Sequence, residues 1–135
     1  MKLVIAGSRS LKIPPKTITR ICEKSQINTE LLTEVVSGKA RGVDTSGENF
    51  AKSINVTVKD FPADWNKYGK AAGAIRNRQM AEYCDVAIII WDGYSSGSLN
   101  MMNEMDRLRK PYYLVRIEHA NARTTWVNGD FSSLL

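Results

Sequence analysis

Apolar positions in this chain fall in short runs rich in β-branched residues, separated by stretches in which they recur every three or four positions. The first pattern predicts strands and the second amphipathic helices. Residues 2–6 (KLVIA) form the first strand. Pro14 and Pro15 stand where the first helix begins, because proline is tolerated in a first turn, and Ile18, Ile21 and Cys22 follow at helical spacing. Residues 33–37 (TEVVS) are the second strand, and a second helix runs from Gly42 to about Ser53 with Val43, Phe50 and Ala51 inward. Residues 55–61 alternate as a strand, and 70–83 carry alanines, Ile75, Met80 and Tyr83 at helical spacing. Residues 85–91 (DVAIIIW) make a nearly continuous apolar run ended by Asp-Gly, the signature of a strand buried on both faces. A helix over about 97–109 follows, Pro111 stops it, and 112–117 (YYLVRI) are a fifth strand.

Strict βα alternation with crossovers of this length predicts an α/β fold, a three-layer sandwich with a mainly parallel sheet of five strands and helices on both faces. The last twenty residues are polar, with Trp126 and Phe131 as anchors, and form either a sixth strand or a strap. No repeat, linker or low-complexity tract interrupts the pattern, so the 135 residues read as one domain.

Composition narrows the class. With 43% hydrophobic and 24% charged residues the chain is that of an ordinary globular protein, and no run reaches the roughly 18 apolar residues of a membrane helix. The N-terminus reads as a strand rather than a secretory signal, and Cys22 and Cys84, inside predicted helices, read as reduced core thiols, so a cytoplasmic location without membrane contact is expected. No metal-ligand spacing is present, and the lone His119 has no evident partner, which leaves metal chemistry and Ser–His catalysis unsupported. No cofactor is predicted. The net charge of +5 suits an anionic ligand without separating a nucleotide from a nucleic acid.

The positions of the unusual residues say more. In an open parallel sheet, ligands bind beyond the carboxyl ends of the strands, where strand order reverses. Gly7-Ser8-Arg9 follow the first strand; Gly38, Lys39, Arg41, Gly42 and Asp44 follow the second. Asp64 and Trp65, then Arg76 and Asn77, follow the third; Asp92 through Ser96-Gly97-Ser98 follow the fourth. Glycines admit a close anion, a helix N-terminus offers unpaired N–H groups, and arginine grips phosphate in a bidentate way. Asp44, Asp64 and Asp92 suit ribose hydroxyls or a base amine, and Trp65 and Trp91 suit stacking. Taken singly, the glycines are explained by tight βα turns and Asp44 by charge complementation of its helix. The coincidence of four consecutive loops is the stronger sign. Neither GxGxxG nor GxxxxGK[ST] occurs, which disfavours a standard dinucleotide fingerprint and a P-loop.

The combination of GSR at 7–9, SGKARGVD at 37–44, DWNKYGKAAGAIRNRQM at 64–80 and WDGYSSG at 91–97 resembles the YspA/YpsA-like branch of the SLOG superfamily, over residues 1 to about 115. The resemblance implies a Rossmann-like fold and a pocket for a nucleotide-like small molecule, and it admits a homodimer. Two relatives supply the alternatives. Lonely Guy phosphoribohydrolases, which cleave the N-glycosidic bond of nucleoside monophosphates, carry Arg-Lys-x-x-Met and Pro-Gly-Gly-x-Gly-Thr-x-x-Glu. Here Arg76 aligns with their catalytic arginine, Asn77 replaces the lysine, and the glutamate position is Met101. Glycosidic cleavage wants a carboxylate by the sugar, and Glu104, one turn on, is the substitute. The DNA-processing protein A family, which binds single-stranded DNA, shares a motif similar to 37–44, but single-strand binding also wants exposed aromatics along a basic groove.

The expectation is therefore binding of a nucleotide or nucleotide-derived ligand by Gly7, Ser8, Arg9, Gly38, Arg41, Gly42, Asp44, Asp64, Trp65, Arg76, Asn77, Ser96, Gly97 and Ser98. Arg76 is the expected phosphate clamp and the 96–98 amides the cradle. A hydrolase using Arg76 and Glu104, and a single-stranded DNA binder, are the alternatives.

Overall fold

The computed structural model describes residues 1–118 and, as backbone, 123–126; His119 and Phe131 lie outside the described residues, as does the Trp126 side chain. The elements are β1 (Lys2–Gly7), α1 (Pro15–Lys24), β2 (Glu34–Ser37), α2 (Val43–Ser53), β3 (Thr57–Asp60), α3 (Trp65–Tyr68), α4 (Ala72–Tyr83), β4 (Val86–Trp91), α5 (Ser96–Arg107), β5 (Tyr112–Glu118) and β6 (Arg123–Trp126). They build one sheet in the order β3-β2-β1-β4-β5-β6. The first five strands are mutually parallel, and β6 adds antiparallel to β5, pairing Val115 with Trp126. The α/β sandwich read from the sequence is the observed fold, and the segment left open there contributes a sixth strand.

Period two divides the core. Leu3, Ile5, Ile88 and Ile90 face α1 and α2, where Ile18, Ile21 and Phe50 meet them. Val4, Ala6, Ala87 and Ile89 face α4 and α5, packing on Met80, Met101 and Met105. Each of these side chains larger than alanine contributes about 1.5–3 kcal/mol relative to exposure. Cys22 lies in α1, whereas Cys84 stands just past α4 as its C-cap rather than inside a helix. Burial pushes the two thiols up, to about 12 and about 11, so neither supplies a thiolate near neutral pH.

Element ends differ from the periodicity for local reasons. β3 begins at Thr57 rather than 55, because Asn55 takes a left-handed φ of 57° as the chain turns out of α2. The helix expected over 70–83 is split. Gly69 (φ 55°) and a 3₁₀ turn over Gly69–Ala71 separate α3 from α4. At the far end, Lys110 Nζ donates to the carbonyl oxygens of Ala81, Glu82 and Cys84 at 2.8, 2.9 and 2.7 Å, closing α4 with a cation.

The topology places the site. From β1 the chain runs outward through β2 and β3, then returns to the other side of β1 as β4. The reversal lies between β1 and β4, and helices on opposite faces leave a crevice beyond their carboxyl ends.

Candidate functional site

Close passage of backbone at that crevice requires glycine. A Cβ on Gly7 would lie 2.0 Å from the Ile90 carbonyl oxygen, so only glycine lets β1 run on beside β4. Gly42 has φ 76°, and a Cβ there would stand 2.5 Å from the carbonyl oxygens of Ser8 and Arg9. Ser8 is fully buried and ties three segments together. Its hydroxyl accepts from Asp92 N at 2.9 Å, and its carbonyl oxygen accepts from Val43 N at the start of α2. Gly42 and Ser8 line neither of the two cavities that open here; they hold the walls of the crevice in register.

A cavity of about 850 Å³ opens at this point, within the size usual for small-molecule sites. It is lined by Gly7, Arg9, Arg41, Asp44, Trp65, Arg76, Asn77, Ser96, Gly97 and Ser98, ten of the residues picked from the sequence. Gly38 lines an adjoining cavity of about 420 Å³ instead.

The floor is a network of buried polar groups. Asn77, 6% exposed, accepts from Arg76 Nε at 3.0 Å and donates through Nδ2 to Gly97 O (3.2 Å) and Asn100 Oδ1 (2.9 Å). Arg76 Nη1 donates to the carbonyl oxygen of Gly38, whose missing side chain leaves the room: a Cβ would stand 2.7 Å from that nitrogen and 2.9 Å from Asp44 Oδ2. Burial lowers the Arg76 pKa, Asp44 opposes the shift, and the like charge of Arg9 adds to it. Asp44, 4% exposed, accepts from Ala40 N at 3.2 Å. Loss of water pushes its carboxyl up to about 6, against the pull of the Ala40 N–H and the Arg76 guanidinium.

The rim is different. Arg9 and Arg41 are exposed, and so is Lys70, which also lines the cavity. None of the three makes a hydrogen bond or ion pair among the described residues. Opposite them α5 begins. Ser95 is its N-cap, with Oγ accepting from Ser98 N at 3.4 Å, so the Ser98 amide is already engaged and the amides of Ser96 and Gly97 are the ones left open. The loop before it is held by Asp92, whose Oδ1 accepts from Tyr94 N and Ser95 N, both at 2.8 Å. Burial alone would raise the Asp92 pKa, but those N–H groups and the hydroxyls of Ser8 and Ser10 bring it below the usual value. Trp91 Nε1 donates to Ser95 O at 3.0 Å, which makes this indole a strut rather than a stacking face. The exposed rings at the mouth are Trp65 and Tyr94, 51% and 88% exposed.

Several expectations are corrected. Asp64 lines neither cavity; its Oδ1 caps α3 by accepting from Lys67 N at 3.1 Å. Glu104 lines neither cavity; 12% exposed, it accepts from Arg78 Nε of α4 at 3.4 Å and from Arg107 Nε at 3.1 Å. Arg76 spends Nε and Nη1 on the protein, so it organises the floor more than it clamps. The sequence reading passed over Ser10 and Asn100, whose places in loop and helix carry no pattern of their own; Met101, at the position of the Lonely Guy glutamate, supplies apolar wall with Met80. No group of three or more His, Cys, Asp or Glu comes together to hold a metal, and no helix is long and apolar enough to cross a membrane, among the described residues.

Comparison with known proteins adds little chemistry. No family model matches the chain. It is similar to the Gene 61 protein of Mycobacterium phage D29, 35% identical over 83 residues, which span 57% of this chain and 66% of that protein, just under two thirds of its length. That name carries no activity.

Proposed function

We propose that this protein binds a nucleotide or nucleotide-derived ligand in the crevice between β1 and β4. The observation that carries the reading is the meeting, in one cavity of about 850 Å³, of three unengaged cations with the open amides of α5 and two exposed rings. A phosphate fits the amides of Ser96 and Gly97, where the helix terminus supplies partial positive charge, with Arg9, Arg41 and Lys70 neutralising its net charge. Trp65 and Tyr94 offer faces for a base. Asp44, in the floor, faces hydroxyls or an amine. The SLOG resemblance points the same way.

Thermal shift against nucleoside monophosphates, cyclic nucleotides, NAD and a short single-stranded DNA tests this. A ligand at a hundred times its dissociation constant stabilises by about 2.7 kcal/mol, on the order of 10 °C here. Arg9→Ala and Arg41→Ala are better controls than Arg76→Ala, because neither side chain bonds to any described residue and each change should cost within about 0.5 kcal/mol of stability. We expect one nucleotide class to raise Tm in the parent and not in these variants. A salt-sensitive shift with DNA alone would overturn the reading and favour the nucleic-acid one.

N-glycosidic cleavage of a nucleoside monophosphate rests on a different residue from the one expected. Asp44, raised to about 6 beside Arg76, is a carboxyl in the cavity where Glu104 is not. Free base released in the same mixtures, and lost in Asp44→Asn, is its test.

A further inference from the structure

The smaller cavity carries a second argument. Arg9, Ala40, Arg41, Trp65 and Arg76 line both cavities, so the two adjoin across a wall of three arginines and one indole. Their charge differs. Asp44 and Asp92 both line the larger cavity, whereas among the described residues no carboxylate lines the smaller one, to which Gly38, Lys39, Pro62 and Ala63 also contribute. Lys39 is already spoken for, with Nζ 2.8 Å from Glu48 and 4.0 Å from Asp60, but the Arg9 and Arg41 guanidiniums are not. Arg9 and Arg76 stand close enough for their like charges to oppose one another. That is unfavourable in the empty protein, and an anion between them removes the cost. At about 420 Å³ the smaller cavity is by itself large enough for a phosphate and the group that bears it.

We infer that the ligand carries two separated anionic groups, one at the α5 N-terminus in the larger cavity and one against Arg9, Arg41 and Arg76 in the smaller, with a neutral sugar or base between them over Trp65. This rests on the nucleotide reading above and narrows it to nucleoside bisphosphates or linear dinucleotides. Asp44 fits that order: it faces the part of the ligand that bears hydroxyls, and among the described residues no carboxylate lines the cavity where the second anion sits.

Isothermal titration of the whole protein with the 5′-monophosphates, 5′-diphosphates and 3′,5′-bisphosphates of the four common nucleosides, and with the linear dinucleotides bearing a 5′-phosphate, reads the inference directly. For at least one base the bisphosphate or dinucleotide should bind about tenfold or more tighter than the monophosphate, the gain of a charge-assisted contact. Ala63→Glu places a carboxylate in the smaller cavity alone. It should abolish that gain while the monophosphate still binds, which also shows that the variant is folded. Equal affinities, a gain matched by the 5′-diphosphate, or a gain that survives Ala63→Glu would overturn the two-anion assignment while nucleotide binding stands. No binding by any nucleotide would overturn both. A longer single strand that gains affinity with each added nucleotide would overturn it in favour of nucleic acid.

Discussion

The floor and the rim of the crevice use the same residue types to opposite ends. In the floor, Arg76, Asn77, Asp44 and Asn100 are turned onto one another and onto the backbone of Gly38, Ala40 and Gly97. On the rim, Arg9, Arg41, Lys70 and the amides of Ser96 and Gly97 bond to nothing among the described residues. Buried polar groups must be satisfied or they cost stability, whereas exposed ones are satisfied by water until a ligand replaces it. The difference teaches which residues to test for which property. Changes in the floor should be read in stability, and changes in the rim in binding.

Asn77 is where that division should break most visibly. Replacing it with alanine strands Arg76 Nε, Gly97 O and Asn100 Oδ1 at once, in a place where water has little access. The expected loss is about 3 kcal/mol, on the order of 10 °C in Tm, by thermal or urea unfolding. A loss below about 0.5 kcal/mol would show that the floor network is not structural.

Asp44 sharpens the comparison through pH. Its carboxyl is raised from 3.8 to about 6, so between those values the folded protein holds a proton that the unfolded chain has released. The stability this gives is fully present below the unfolded value and is lost as pH rises through about 6. Asp44→Asn is neutral throughout. Relative to the parent it should therefore gain on the order of 2–3 kcal/mol between pH 3.5 and 7, read by urea unfolding at both ends. The attraction of Arg76 for the ionised carboxyl is already part of what holds the value to about 6. Parallel profiles for the two proteins would mean that Asp44 is solvated in the folded state.

Why the sequence yields one layer of this more readily than the other follows from the physics of each. Strand and helix order was legible because β1 and β4 repeat with period two or run apolar throughout, and α1, α2 and α5 carry apolar stripes. Convergence of Gly7, Arg41 and Ser96 was legible because each follows a parallel strand or opens the helix after it, Arg76 lies early in the helix that leads back to β4, and the sheet order 3-2-1-4 then brings them together. Orientation was not legible. Nothing in the spacing says that Asp64 turns back to cap α3 or that Glu104 pairs with Arg78 of α4 and Arg107, because one turn of a helix decides which neighbour a side chain meets. Nor does composition reveal that Arg76 is spent on Gly38 and Asn77, an allocation made by a contact 38 residues away.

Ser96 is the place where stability and binding should move in opposite directions. It is the first residue of α5, exposed, with its amide open toward the cavity. A carboxylate in a first helical turn interacts favourably with the helix dipole, worth about 0.3–1 kcal/mol. The same carboxylate occupies and repels the position assigned to a phosphate. Ser96→Asp should therefore raise Tm slightly, by a few degrees at most, and weaken any phosphate-bearing ligand by about tenfold or more. A variant with merely damaged folding cannot give this pair, since it would lower both. Should Ser96→Asp stabilise the protein and leave nucleotide affinity untouched, the phosphate does not sit at α5, and the three rim cations alone must hold it.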